Sequence, residues 1–487
     1  MKVLPIAGLC LTAGCAGAPE APSTSVAEPV VTAAPTHWEP VPAPAPLRTV
    51  PPRRLEARHE RQLPNGLRVV VIARPGAPVV SIRLAFPSGA LDDPSGDLGA
   101  TQIAVGLLGE VYERDRSGKR LPAEDSLRRK IFEKGASYGW SVSHDLSHVG
   151  IDGYVEDLSD YLEQLARAVR LPRRSEQMFA AYRSSYIHEL EELEPKDGPT
   201  WSALVERAAF GTRHPYARAP LGRISDLREL SLEAVIDRQD SLLTPREATL
   251  LVVGAVDVAK THRAAQRWLG AWRAGAPPRR RRAPTPARPP RQPEALFVSV
   301  PHAKLAKICA ARRLGDLRRL EDGQVELLAE VLAGGFGSRL FARLRDTHGV
   351  SYAPTGRLLR RRYARAMLIC TQVPADRATE GLRYMRETLV DLRERPPEPL
   401  ELERARAQLS ARAAGRAASI PALVGHALEE IALGRPPRLP SGELVPIALQ
   451  AQLLEARRWR FVLAGPIAPL KRAARANGLK PRRFALR

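Results

Sequence analysis

Few residues in this 487-residue sequence combine types and spacing that could do chemistry. The clearest group lies in Gly334–Pro354, GGFGSRLFARLRDTHGVSYAP. Arg345 carries a planar fork of donors that is always charged, and Tyr352, seven positions on, carries a phenolic hydroxyl. Read locally, the same residues describe an amphipathic helix with a solvent-facing arginine and a half-buried strand tyrosine. Other candidates are weaker. His144 and His148, in SVSHDLSHVG, fall around a turn between strands with no third ligand at metal-like spacing, and read as a solvated turn. His188 and Glu189 are adjacent on a helix and point to different faces. Gly334–Gly337 lacks the lysine of a phosphate-cradling loop, and no serine or cysteine nucleophile constellation stands out.

The elements that must position Arg345 and Tyr352 follow from the same stretch. Gly334, Gly335 and Gly337 make a turn, and Ser338 is a helix N-cap. Leu340, Phe341 and Leu344 give the helix an apolar face. Gly349 closes it as a C′ residue, and a strand is expected at Val350–Ala353.

This pattern resembles the second domain of the insulinase/pitrilysin-type metalloproteases, which include the mitochondrial processing peptidases. The shared features are the glycine turn, Ser-Arg-Leu-Phe, the Leu-Arg pair and Gly-hydrophobic-x-Tyr. The resemblance implies that Arg345 and Tyr352 hold a substrate peptide over a zinc site carried by another domain. The first half resembles the family as well, through Leu63-Pro-Asn-Gly-Leu-Arg-Val, Pro87-Ser-Gly-Ala-Leu-Asp-Asp-Pro, His214-Pro-Tyr, Leu221-Gly-Arg-Ile and Leu251-Val-Val-Gly-Ala-Val-Asp. Together these cover roughly residues 58–480.

The departure lies between those matches. The family's zinc site is an inverted H-x-x-E-H motif on the first long helix, with a third ligand from a later helix. Here Gln102 and Gly106 stand where the histidines belong, and Val105 stands where the glutamate belongs. Glutamine is a poor zinc ligand, glycine has no side chain and valine cannot take a proton. Glu189, in Tyr186-Ile-His-Glu-Leu, occupies the third-ligand position, and one carboxylate does not hold zinc. The family's Asn-Ala strand edge, which helps bind substrate backbone, is replaced by Gly139-Trp140. No cofactor is therefore expected in this chain, and zinc is expected in a partner.

Around these sites the chain divides into five parts. Residues 1–15 have a lysine, a short apolar run and small residues ending at Cys15, as a secretory signal does. Thr-Ala-Gly-Cys resembles a lipoprotein cleavage box with Cys15 as the acylated residue, and an ordinary signal cut slightly later is the alternative. Residues 16–55 form a Pro/Ala-rich tether, and residues 275–293, GAPPRRRRAPTPARPPRQP, an exposed linker. Between them lie residues 56–274 and 294–487, which look like copies of one another. Each has two opening strands, helices, two more strands, a long helical stretch, and a strand–glycine–helix ending at Gly254 or Gly465. The expected class is α+β, two homologous domains, each an antiparallel sheet covered by helices, forming half of a four-domain clamshell.

The formal net charge of +22 is spread along the chain and intermixed with acidic residues, which argues against a nucleic-acid footprint. For an exported protein, anionic lipid or acidic partners fit it better. Cys309 and Cys370 read as buried thiols rather than a catalytic pair, with a disulfide open to them in an oxidising compartment.

Three functions remain. The preferred one is the non-catalytic, substrate-binding subunit of a heteromeric zinc endopeptidase, exported and lipid-anchored, whose homologous partner carries the zinc motif. The second is a peptide-binding or structural surface lipoprotein without a protease partner. The third is an active zinc peptidase with atypical ligands.

Overall fold

The computed structural model describes residues 58–109, 127–170, 172, 174–192, 198–211, 214–273, 294–317, 319–416, 418–435 and 445–483. The expected leader with Cys15, the tether and the 275–293 linker lie outside these residues. Residues 47–487 form one compact unit.

The first half runs β1 (Arg58–Gln62), β2 (Arg68–Ala73), β3 (Val79–Phe86), α1 (Ala100–Gly106), α2 (Leu127–Glu133), β4 (Ser137–Val142), β5 (Ser147–Tyr154), α3 (Leu158–Arg170), α4 (Glu176–Glu192), α5 (Gly198–Phe210), α6 (Ile224–Glu229), α7 (Leu232–Leu242), β6 (Thr249–Gly254) and α8 (Val258–Leu269). The second runs β7 (Glu294–Ser299), β8 (Leu305–Arg313), α9 (Asp322–Ala333), α10 (Arg339–Phe341), β9 (Thr355–Arg360), β10 (Arg365–Pro374), α11 (Ala378–Glu394), α12 (Pro399–Gly415), α13 (Ile420–Leu433), α14 (Ile447–Leu453), β11 (Arg460–Gly465), α15 (Ile467–Ala476) and β12 (Lys480–Arg483).

Each half builds a six-stranded sheet, ordered β1-β2-β6-β3-β5-β4 and β12-β7-β11-β8-β10-β9. Five strands correspond in order, so the internal likeness seen in the sequence is a likeness of topology. The α+β class holds, with one correction: the sheets are mixed. β6 runs parallel to β2, and β11 parallel to β7, while both pair antiparallel with the strand on their other side. The cause is the long helical stretch before β6 and β11. It carries the chain back far enough for a parallel crossover and lets the last long strand insert into the centre. A close approach fixes the end of β6, because a Cβ on Gly254 would lie 2.3 Å from the Val79 carbonyl oxygen.

One face of each sheet is covered by its own helices. In α3, Tyr161, Leu162, Leu165 and Val169 recur at helical spacing and join Ala265 and Leu269 of α8 against Val69, Ile82 and Leu84. In the second half, Leu382, Met385 and Leu389 of α11 and Leu470 and Ala473 of α15 do the same against Ile308, Ile369 and Leu463. The opposite faces are covered by exchange. Leu423, Val424 and Ala427 of α13 pack on Val70, Ile72, Leu251 and Val253 of the first sheet. Leu204, Ala208 and Phe210 of α5 pack on Leu296, Val298, Ala311 and Val462 of the second. Each sheet is thus covered on both faces, one by its own helices and the other by a helix of the other half.

The tip of the β9–β10 hairpin locks the exchange. Arg362 donates to the carbonyl oxygens of Pro87 (2.7 Å), Asp145 (2.7 Å) and Ala432 (2.9 Å). Tyr216 donates its hydroxyl to Asp145 at 2.6 Å and accepts from the Tyr363 amide at 3.2 Å, and Arg361 pairs with Glu206. His144 sits against the same cluster, buried, with Nε2 at 2.8 Å from the Arg218 carbonyl. His144 and His148 flank the β4–β5 turn as expected, but the turn is not solvated, because the second half closes over it.

Two tests follow from this packing. Arg362→Ala leaves three partly buried carbonyls without their donor and is expected to cost about 1–3 kcal/mol in urea unfolding. Burial also holds His144 below its usual range and pushes His148 and His214 down to about 4. The folded state keeps these rings neutral while the unfolded chain protonates near 6.5, so their stability contribution is present above pH 6.5 and lost as pH falls toward 4. Asp93, whose carboxyl burial raises to about 6, works the opposite way over the same window. Comparing the pH dependence of thermal melting in wild type and His148→Gln isolates the histidine effect. The variant is expected to lose less stability on acidification, and identical slopes would show that His148 is not held neutral.

Candidate functional site

The Gly334–Pro354 stretch begins with Gly335 and Gly337 at φ +116° and +80°, a backbone that L side chains rarely adopt. Ser338 then caps α10, its hydroxyl accepting from the Phe341 amide at 3.4 Å. The helix continues from Ala342 to Thr347 as a π-helical turn, a form that in other helices is concentrated at functional sites. Gly349, at φ +58°, closes it as expected. The strand expected at Val350–Ala353 is not formed, and β9 starts at Thr355. The amides of Val350 and Ser351 turn back onto the Leu344 carbonyl at 2.7 and 3.3 Å, and Pro354 has no amide to lend a ladder.

Arg339 and Arg345 of this stretch part company. Arg339 is structural, bound to Glu401 through two 2.8 Å contacts, to Asp391 at 3.1 Å and to the Arg395 carbonyl at 2.8 Å. Arg345 stands in an aromatic cage. Its guanidinium carbon lies 4.6 Å from the Tyr352 ring centroid, 5.1 Å from Phe341 and 5.4 Å from Phe336. Its Nη1 is buried with no hydrogen-bond partner among the described residues. This corrects the local picture of a solvent-facing arginine and a half-buried tyrosine, because Tyr352 is 74% exposed and Phe336 69%. Sequence reading passed over Phe336, whose signal was a large aromatic in an otherwise glycine turn.

Arg345 and Tyr352 line a groove of about 750 Å³ whose walls include Leu305, Val350, Cys370 and Pro374. Cys370 lies directly opposite Cys309 across the β8–β10 ladder, Cα to Cα 4.1 Å, and the two form a disulfide.

The positions that the resemblance assigns to zinc lie on α1 and α4. Asp93 anchors the start of α1, accepting from the amides of Gly99 (3.0 Å) and Thr101 (3.1 Å) and from the Thr101 hydroxyl, with Arg238 of α7 at 3.4 Å. Val105 and Gly106 are fully buried. A Cβ on Gly106 would stand 2.9 Å from Tyr182 and 3.2 Å from Trp140. Trp140 meets Tyr186 edge-on at 6.4 Å, and Tyr182 meets Tyr186 at 6.0 Å. Gln102 leaves its amide oxygen buried without a partner among the described residues, and Glu189 lies one turn beyond Tyr186, exposed. Where a metal ion's ligands would converge there is aromatic packing, and no group of three His, Cys, Asp or Glu among the described residues could hold a metal. The residues present do not fit zinc.

Steric filling therefore adds to the chemical loss. Restoring the motif as Gln102→His, Val105→Glu and Gly106→His is expected to force Tyr182 and Trp140 apart, destabilise the fold by roughly 1–3 kcal/mol or more, and leave zinc unbound in equilibrium dialysis. Stoichiometric zinc in a folded triple variant would show that the niche is open.

Residues 229–409 match the family model described as the Peptidase M16 inactive domain. No curated protein sequence matches the chain. Among solved structures, the peptidase M16 inactive domain from Pseudomonas fluorescens superposes with a TM-score of 0.68 at 18% identity, covering 85% of this chain and 98% of that one. The periplasmic protease PqqL from Escherichia coli gives 0.70 at 13%, covering 90% of this chain and 52% of that one. Pitrilysin gives 0.69 at 13%, covering 88% and 46%. Over residues 229–409 the chain thus matches the Peptidase M16 inactive domain in sequence, and over both sheets it shares the fold of the M16 peptidases, pitrilysin among them.

Proposed function

We propose that this chain is the substrate-binding, non-catalytic subunit of a two-chain zinc endopeptidase. One contrast carries the reading: the metal position is filled by Trp140, Tyr182 and Tyr186, whereas Arg345 and Tyr352 are held at the mouth of a groove. A protein with no use for peptides has no need to keep an arginine caged and an exposed tyrosine beside it. The hydrolytic metal belongs in a homologous chain with an intact H-x-x-E-H motif. In this chain, Arg345 would donate to substrate carbonyls and Tyr352 to the peptide or to the oxyanion formed at the partner's site.

Export fits the same reading. The leader ending at Cys15 supplies the route and a lipid anchor, and the Cys309–Cys370 disulfide suits an oxidising compartment outside the cytoplasm.

The test is zinc content and peptide cleavage of the chain alone and mixed with a homologue that carries the zinc motif and is encoded beside it. The expected result is neither zinc nor cleavage alone and cleavage on mixing. In the mixture, Arg345→Ala and Tyr352→Phe should each lower turnover by roughly 10²-fold. Unchanged turnover in both variants would remove the roles assigned to them. Zinc and cleavage from this chain alone would favour a peptidase with atypical ligands. Peptide binding with no cleavage in either condition would favour a surface binding protein.

A further inference from the structure

The groove beside Arg345 is shared by the halves, Trp201 of α5 standing over Lys307 of β8, and one of its walls carries a disulfide. Cys370 of β10 is fixed there from both sides. On one side it is bonded to Cys309 of β8, and on the other it pairs with Thr355, where β9 begins. Thr371, the next residue, shares a 2.6 Å hydrogen bond between its hydroxyl and that of Ser351, both buried. Ser351 and Thr355 bracket residues 352–354, which lie outside β9. The placement of Tyr352 is therefore handed on from Cys370 and Thr371.

The two sulfurs differ in their surroundings. Cys309 is fully buried in the cluster that α5 closes, with Leu204, Ala208 and Val462. Cys370 is half-buried and lines the groove. A disulfide holds its sulfurs at bonding distance, and two thiols at directly opposed positions need more room. Close packing around Cys309 leaves none, so the room has to come from the Cys370 side. A Cys370 side chain displaced that way enters the groove and loosens both the Thr355 pairing and the Thr371–Ser351 tie.

We infer that the Cys309–Cys370 disulfide is a redox lock on the groove, which binds peptide with the bond formed and loses it when a dithiol reduces the bond. The inference rests on the peptide-binding role proposed above and adds its control. In the unlocking step a thiolate of the dithiol attacks the sulfur of Cys370, the residue on the groove wall. The Cys309–Cys370 bond breaks, and Cys309 leaves as a thiolate that takes up a proton. The second thiolate of the reductant then displaces Cys370, which also ends as a thiol, and the reductant departs as a cyclic disulfide. Two electrons and two protons pass to the protein. Peptide binding is thereby confined to a compartment that oxidises the pair.

The test compares the oxidised full chain with the same chain treated with dithiothreitol, binding a dye-labelled tryptic digest of casein by fluorescence anisotropy. Thiol titration follows the bond, and circular dichroism follows the fold. The oxidised chain is expected to bind about tenfold tighter than the reduced one, as a pre-organised loop does. The reduced chain should stay folded, and the Cys309→Ala/Cys370→Ala variant should bind equally with and without dithiothreitol. Equal affinity of the oxidised and reduced chains, or a bond that dithiothreitol leaves intact, overturns the inference and leaves the binding role standing. So does unfolding on reduction, which would make the bond a structural staple, or a response to dithiothreitol that persists in the double variant. No binding by the oxidised chain overturns the peptide-binding role itself, and the inference with it.

Discussion

The contact of the half-buried Arg362 guanidinium with three carbonyl oxygens is the one on which the arrangement of the halves depends. Two of those carbonyls, at Pro87 and Asp145, belong to the first half, and the third, at Ala432, ends α13 of the second. A half-buried cation is held best by fixed acceptors, and these acceptors sit at strand and helix ends that cannot move independently of their sheets. The Asp145 carboxylate completes the cluster, taking the Tyr216 hydroxyl at 2.6 Å and the Arg362 amide at 3.2 Å. With the hairpin tip seated, α5 lies over the second sheet and α13 over the first. The groove walls contributed by Trp201 and by Lys307 then face one another. Without that seating, a groove shared by two halves would have no constant shape.

The surroundings of Gly106 and of Arg345 differ in kind. Around Gly106 the space has become apolar and tight, with aromatic rings from β4 and α4 in contact with α1. Such packing rewards the fold through dispersion and area burial. A side chain added at position 106 would have rings to displace. Around Arg345 the reverse holds. An unpartnered guanidinium nitrogen and two mostly exposed aromatic rings are costs to the isolated chain.

The arginine-rich composition is largely internal bookkeeping of charge. Arg360 meets Asp322, Glu326 and Glu429, Arg365 meets Asp322, and Arg412 meets Glu330, all with carboxylates that are largely buried except Glu429. Arg339 joins α10 to α11 and α12 in the same way. These pairs hold helices to strands and to one another.

The sequence by itself determined what depends on residue identity and near neighbours. The opening strands, the Ser338 cap, the turn at Gly349 and the strand–glycine–helix ending of each half are short-range features set by backbone preferences and spacing. That Gln102, Val105 and Gly106 make a poor metal-ligand set needed no coordinates, because valine and glycine have no side-chain donor atoms. Tertiary structure decided the rest, since it depends on residues far apart in the chain. Tyr182 and Tyr186 fill the space at Gly106 from a helix some 80 positions away. Cys309 meets Cys370 only because β8 and β10 share a register. His144 is buried by a hairpin from the other half, and β6 and β11 turn parallel because a long crossover lets them. Tyr352, expected on a strand, is freed by two amides that prefer the Leu344 carbonyl. Local sequence sets which groups exist, and long-range packing sets which of them meet water, metal or one another.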